Sequence, residues 1–145
     1  LGDGNNVCHS YMNASRLLDF ELVVACPEGY DPSPELLEAC GNRVTIERDP
    51  AAAVKQAHLL VTDVWASMGQ EAEQAERIGP LTPYQLNQAL LDIAAPDALY
   101  MHCLPAHRDE EITAELMDAP DTVIWQEAEN RLHAQKALME LLLSA

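Results

Sequence analysis

A thiol stands at the end of an apolar run in Leu99-Tyr100-Met101-His102-Cys103-Leu104-Pro105. Proline has no backbone N–H and cannot continue a ladder, and it holds the residue before it extended. The strand therefore stops near Cys103 and presents the thiol at the lip of whatever opens there. A second apolar run, His58 to Asp63, ends in a carboxylate and leads into Ala66-Ser67-Met68-Gly69. A carboxylate suits a ligand ammonium. The Ser67 hydroxyl and the backbone N–H groups of Ser67 and Met68 suit a ligand carboxylate, in the manner of a nest. Together they match the two charges of an amino-acid head group. Asp3-Gly4-Asn5-Asn6 adds neutral donors and acceptors at a helix start. Arg131, in Glu127-Ala128-Glu129-Asn130-Arg131, carries a planar fork suited to a phosphate or carbonyl oxygen.

Each of these residues also has a plainer reading. A lone cysteine mostly fills space. Asp63 and Asn6 can cap a helix or turn, and Asn5 favours that role. Trp65 reads as a packing residue. Arg131 opposes the macrodipole on the first turns of its helix, which hints at a task, but a surface arginine usually only meets solvent. His9, His58 and His133 read as structural or surface residues, and His102 as a group packed or hydrogen-bonded under its strand end. His107 and Arg108 follow the proline.

Other chemistries lack their signatures. There is no G-x-G-x-x-G and no G-x-x-x-x-G-K-[ST], so neither a dinucleotide nor a P-loop fingerprint is present. Cys8, Cys26, Cys40 and Cys103 form no C-x-x-C pair and no zinc-type spacing. His102 and Cys103 point to opposite faces of one strand, which argues against joint ligation, so no metal is expected. No Ser-His-Asp or paired-carboxylate arrangement can be argued.

The elements that must position these residues alternate. Leu1 to Asp3 ends a first strand, and a helix follows with Val7, Tyr11, Ala14 and Leu18 on one stripe. Further strands are expected at Phe20–Cys26, Val44–Arg48 (near an edge), His58–Asp63, Ala98–Cys103 and Thr122–Trp125. Helices are expected between them: one from Pro34 to Gly41, then Pro50–Ala57, Glu71–Arg77, Tyr84–Ile93 and Asp109–Met117, with a long last helix over Glu127–Leu143. Gly79-Pro80-Leu81-Thr82-Pro83 should break the chain. Such alternation calls for an α/β fold in three layers, a doubly wound parallel sheet covered on both faces. With right-handed crossovers and the Rossmann-like order 3-2-1-4-5, strands 1 and 4 meet at the switch point. Asp3 to Asn6, Asp63 and Cys103 then reach one crevice. The last helix carries Leu132, Leu138, Met139, Leu141, Leu142 and Leu143, a wider apolar face than one small sheet needs, as though it docked on something outside these residues.

Composition narrows the partners. The 145 residues suffice for one domain, and the formal net charge is −16. A chain so acidic repels phosphate backbones and anionic membrane surfaces, so neither nucleic acid nor membrane is an expected partner. No run is long enough to span a bilayer. Reduced thiols and a cytoplasmic location are expected. Leu1-Gly2-Asp3 reads as the tail of a cut strand, so a fragment of a longer protein is expected.

Three motifs together, Asp3-Gly4-Asn5-Asn6-Val7, Asp63-Val64-Trp65-Ala66-Ser67-Met68-Gly69-Gln70-Glu71 and His102-Cys103-Leu104-Pro105, resemble the ornithine carbamoyltransferase family. Glu127-Ala128-Glu129-Asn130-Arg131 fits the same family. The resemblance spans residues 1–145 but covers only the second, ornithine-binding domain of a two-domain carbamoyltransferase. The family's carbamoyl-phosphate loop of the Ser-x-Arg-Thr type has no counterpart in these residues. The resemblance implies transfer of a carbamoyl group from carbamoyl phosphate to the side-chain amine of L-ornithine, giving L-citrulline and phosphate. It implies ornithine binding by Asn6, Asp63, Ser67 and Met68. It also places Cys103 and Leu104 where amine and carbamoyl group meet, with Cys103 orienting the amine and assisting its deprotonation, and has Arg131 polarise the carbamoyl carbonyl. No covalent intermediate, metal or organic cofactor is implied. A homotrimer or a multiple of one is expected for the complete enzyme, and these residues alone are expected to be inactive. Aspartate carbamoyltransferases usually carry Pro where Cys103 stands. Acetylornithine, succinylornithine and putrescine enzymes, or a non-catalytic amino-acid-binding paralogue, are the alternatives.

Overall fold

The computed structural model describes residues 1–66 and 74–144. Among them are four strands, β1 (Leu22–Ala25), β2 (Val44–Glu47), β3 (Leu59–Thr62) and β4 (Leu99–His102). β1 pairs parallel with β2, Leu22 opposite Val44. β3 pairs parallel with β4, Leu59 opposite Leu99 and Thr62 opposite His102. Leu1 to Asp3 lies between the two pairs. The Gly2 N–H donates to Ala25 O at 2.9 Å, the Leu1 amino group to Val61 O at 2.8 Å, and the Thr62 hydroxyl to Leu1 O at 3.2 Å. Leu1 to Asp3 is not itself a strand, yet it bonds to both neighbours, and the order 3-2-1-4-5 of the expected strands results. β2 lies at an edge, as its polar sequence suggests.

The helices are α1 (Val7–Leu17), α2 (Pro34–Cys40), α3 (Pro50–Ala53), α4 (Gln74–Leu81), α5 (Gln88–Leu91), α6 (Ala114–Met117) and α7 (Ile124–Leu143). Several carry the cap their sequence supplies. The side chains of Ser33, Asp49, Asn87 and Thr113 accept from backbone N–H groups in the first turns of α2, α3, α5 and α6, and Pro34 and Pro50 begin α2 and α3 where a missing N–H costs nothing.

Four expectations are corrected. No strand forms at Thr122–Trp125. Ile124 opens α7, because Gln126, Glu127, Ala128 and Glu129 are good helix formers and Ile124 is wholly buried in the core as the first helical residue. Pro50–Ala57 is helical only to Ala53; beyond it Gln56 takes a left-handed φ of 63°. The regions 84–93 and 109–117 shorten to α5 and α6, because Leu86 and Ile112 bridge each other as extended residues. Asp109 takes φ 66°, and its carboxylate accepts the Ala114 N–H. Finally, α4 continues through Gly79 and Pro80 to Leu81.

The larger core joins β3 and β4 to the helices through Leu60, Tyr100, Leu86, Leu90, Ile112, Leu116, Met117 and Ile124. A second cluster joins Met12 of α1 and Cys40 of α2 to Val24 and Val44. On the side of β3 and β4 that faces away from the larger core, Val61 and Met101 are half-buried and α7 packs against β4, and exposure is confined to the strand starts. Leu60, Thr62, Tyr100 and His102 are buried, whereas Leu59 and Leu99, pointing the other way, are exposed. Leu59 also borders a groove of about 1230 Å³ lined by Phe20, Leu22 and Val61.

Candidate functional site

The C-terminal ends of β3 and β4 stand side by side, and their sequences put a carboxylate and a thiol one residue past each. The Cys103 thiol donates to Asp63 Oδ1 at 3.0 Å. The Val64 N–H donates to the same oxygen at 2.8 Å. Burial first, and then the Asp63 carboxylate, push the thiol up to about 12 from an ordinary 9.0. At neutral pH Cys103 is therefore a thiol with its proton aimed at Asp63. The thiolate, the nucleophilic form of cysteine, is not populated there.

On the other face of β4, His102 is buried against Glu111. The Leu104 N–H donates to His102 Nδ1 at 3.0 Å, so Nδ1 carries no proton and Nε2–H donates to Glu111 Oε1 at 3.0 Å. The His107 N–H donates to that oxygen at 2.6 Å. Both side chains are fully buried. The three bonds tie the strand end, Leu104 and the segment after Pro105 into one unit. Leu104 takes φ 56° ahead of a cis Leu104–Pro105 bond, a left-handed conformation that costs a non-glycine residue about 1 kcal/mol. Its N–H bond to His102 holds it there.

The turn before α1 approaches the same end of the sheet. Gly4 is needed there, because its N–H bonds Tyr30 O at 2.8 Å and a Cβ would meet Pro32 and Tyr30 O at 2.6 Å. Asn6 occupies the N-cap position of α1 with φ 48° but makes no side-chain cap bond, and it is exposed. The capping reading is thus not met. Asp3 pairs with Arg77 of α4, whose guanidinium lies 5.1 Å over the Tyr30 ring and donates to Trp65 O at 2.5 Å. Burial pushes the Asp3 carboxyl upward, against the pull of Arg77. Trp65 is buried near Gly2, as a packing residue should be. Ser67 and Met68, expected to hold a ligand carboxylate, lie outside the described residues.

Arg131 requires a correction. α7 begins at Ile124, so Arg131 stands in its third turn rather than its first, and the macrodipole argument lapses because that effect fades within one turn. It is exposed. Glu127 is one turn earlier on the same helix face, where α7 packs against β4. Burial pushes the Glu127 carboxyl upward, opposed by the His102 backbone and by the charge of Arg131. Arg131 therefore shares the face of α7 that turns toward the Cys103 strand end. Arg108 is paired with Asp118 at 2.8 Å.

Glu111 and Glu127 were missed by sequence reasoning. Glu111 sits in a charged stretch, Arg108-Asp109-Glu110-Glu111, that reads as solvated surface. Its one signal is the neighbouring Ile112, which must be buried and draws the residue before it inward.

Comparison with known proteins decides the family. The family model described as aspartate/ornithine carbamoyltransferase, Asp/Orn binding domain, matches residues 1–142. The chain belongs to the aspartate/ornithine carbamoyltransferase family. It is 59% identical over its whole length to the ornithine carbamoyltransferase of Methylococcus capsulatus, covering 49% of that protein. It is 62% identical over 143 residues, 99% of its length, to the anabolic ornithine carbamoyltransferase of Pseudomonas aeruginosa, covering 47% of it. Among solved structures, the ornithine carbamoyltransferase of Pyrococcus furiosus superposes with a TM-score of 0.88 at 49% identity, over 97% of this chain and 47% of that one. The anabolic enzyme of Campylobacter jejuni gives 0.91 at 34% identity, over 99% of this chain and 50% of that one. The chain spans about half the length of these carbamoyltransferases. No helix among the described residues is long and apolar enough to cross a membrane.

Proposed function

We propose that the complete protein carrying this chain is an ornithine carbamoyltransferase of arginine biosynthesis, and that residues 1–145 are its ornithine-binding domain. The observation that carries the reading is the thiol–carboxylate pair at adjacent strand ends, within a chain whose relatives bear that name. In the proposed reaction the neutral side-chain amine of ornithine attacks the carbamoyl carbon of carbamoyl phosphate. The C–O bond to phosphate breaks, phosphate leaves, and the amine gives up a proton.

Asp63 takes the α-ammonium of ornithine, Ser67 and Met68 its carboxylate, and Asn6 the remaining polar contact. Cys103 already directs its proton at Asp63, so its sulfur lone pairs are left to accept from the amine and orient it; it assists deprotonation by passing its own proton to the Asp63 carboxylate as sulfur takes the one the amine gives up. Leu104 and Cys103 flank the carbamoyl group, and Arg131 polarises its carbonyl. Holding the two substrates in attacking geometry supplies most of the rate. An N-terminal domain of the same polypeptide supplies the carbamoyl-phosphate site, the complete enzyme works as a homotrimer or a multiple of one, and it acts in the cytoplasm. No cofactor is required.

The test offers carbamoyl phosphate to the full-length protein together with ornithine, N-acetylornithine, putrescine or aspartate. Preference for ornithine is expected. Preference for another acceptor keeps the reaction class and overturns the amino-acid clamp. No transfer to any of them overturns the reading in favour of a binding paralogue. Residues 1–145 alone are expected to make no citrulline, and steady turnover by a preparation of 15.9 kDa would contradict this.

A further inference from the structure

Behind the Cys103 strand end, three ligand-bearing side chains converge on a point that the proposed reaction does not use. His107 Nδ1 lies 3.6 Å from Glu110 Oε2 and 4.0 Å from Glu111 Oε2, and the three ligand atoms lie within 4.8 Å of one another. An ion bound at about 2.0 Å by tetrahedral nitrogen and oxygen ligands sets those ligands about 3.3 Å apart. The cluster is therefore within small side-chain rotations of a metal-binding arrangement. Proximity of acidic groups alone would not make a site. Glu111 supplies a second observation. Its side chain is fully buried, Oε1 is occupied by His102 and His107, and Oε2 has no hydrogen-bond partner although it is wholly inaccessible to solvent. A buried carboxylate oxygen without a donor is costly, and this one is aimed at His107 and Glu110. Those two side chains are partly exposed, which gives an ion a way in while Glu111 forms the floor.

We propose that His107, Glu110 and Glu111 form a binding site for a divalent transition-metal ion of the zinc class, three protein ligands with one position open to water. One imidazole and two carboxylates favour such an ion over calcium, which takes oxygen ligands only and more of them. The site is coupled to the thiol through one side chain. Glu111 Oε2 binds the ion while Oε1 holds His102 and the His107 N–H, so an occupying ion pulls on the carboxylate that fixes the Cys103 strand end. A search for zinc-type cysteine and histidine spacing passes over it, because its ligands are one histidine and two adjacent glutamates.

The experiment titrates the metal-free full-length protein with Zn²⁺ by calorimetry and with Co²⁺ by absorption, beside His107→Ala, Glu110→Gln and Cys103→Ala. The expected result is one Zn²⁺ per chain, Co²⁺ bands without a sulfur-to-metal charge-transfer transition, and affinity unchanged in Cys103→Ala. His107→Ala should weaken zinc about 100-fold or more, since even outer partners of a metal are worth roughly 10–100-fold, and Glu110→Gln at least about 10-fold. His107→Ala keeps its backbone bond to Glu111, so its folding and its metal-free turnover should match the parent. Zinc should also change the alkylation rate of Cys103 in the parent but not in His107→Ala. Binding that is lost in Cys103→Ala and kept in His107→Ala would put the ion on the thiol and overturn the proposal, as would no stoichiometric binding by the parent.

Discussion

The strand end at Cys103 and the long helix α7 lie against each other, yet they are built in opposite ways. At the strand end, the polar groups that position the thiol find partners within this chain: Cys103 on Asp63, Leu104 on His102, and His102 and His107 on Glu111. On α7, Ile124 is buried, while Leu132, Leu138, Met139, Leu141, Leu142 and Leu143 are all more than half exposed. Scattered surface leucines need no explanation, but these six large apolar side chains exposed on one helix do. Half of the candidate site is thus preorganised by an internal polar network. The other half, the helix that carries Arg131, shows an apolar face for which this chain provides no cover among its described residues. A thiol with a fixed proton can be placed by local bonds. An arginine meant for a second substrate must be placed by whatever that helix docks against.

The largest expected effect tests the preorganised half. In the full-length protein, Cys103→Ala should lower turnover about 10²-fold or more, the lower end of what a positioned proton-transfer group contributes, while Cys8→Ala should change it little. Equal effects would mean that the Cys103 network only packs.

Next in size is Glu111→Ala. It leaves the His102 Nε2–H and the His107 N–H without an acceptor in the interior, and each such loss costs about 1–3 kcal/mol. A fall in stability of about 3 kcal/mol by denaturant titration is expected, with Glu111→Gln losing less because an amide oxygen still accepts. A Glu111→Ala protein as stable as its parent would show that the network is ornamental.

Asp63→Asn should weaken ornithine binding by roughly 1.5–3 kcal/mol, the scale of a hydrogen bond to a charged group. It should also bring the Cys103 thiol down from about 12 towards 9.0, because the carboxylate that holds the proton is gone. Alkylation of Cys103 should then begin at lower pH than in the parent. The stability linkage has a definite sign. A thiol raised in the folded state favours folding fully below pH 9 and loses that contribution as pH rises towards about 12. Asp63→Asn should flatten that alkaline loss, and an unchanged alkylation profile would detach Asp63 from the thiol.

Much of this was legible before any coordinates. The ends of β3 and β4 were marked by Asp63 and by Cys103 ahead of Pro105, because a carboxylate and a proline both stop an apolar run. The strand order followed from alternation and handedness. Thr122–Trp125 misled because its β-branched residues favour a strand in isolation, whereas the burial of Ile124 and the helix formers after it decide for α7. Glu111 was illegible for a different reason. Its burial depends on the bridge of Ile112 to Leu86, a pairing between residues far apart in sequence that no local pattern announces. The exposure of Leu59 and Leu99 was equally hidden, since apolar strands read the same whether the cover over their starts comes from the same chain or from elsewhere.

The smallest expected effect bears on that cover. Leu138 is 55% exposed on α7, so in the 145-residue chain Leu138→Glu replaces one solvated side chain by another that also favours helix. The change in stability should stay within about 0.5 kcal/mol, as for surface substitutions generally. In the full-length protein the outcome depends on whether α7 is covered. If its apolar face packs against the remainder of the polypeptide, the same substitution buries a carboxylate among apolar groups and forfeits the about 1.5–3 kcal/mol that burying a leucine contributes. A thermal midpoint that falls in the full-length protein and holds in the short chain would locate the missing cover in the other half. A midpoint unmoved in both would mean that α7 is solvated throughout. Arg131 would then have to reach the Cys103 strand end from a helix anchored only through Ile124 and Glu127.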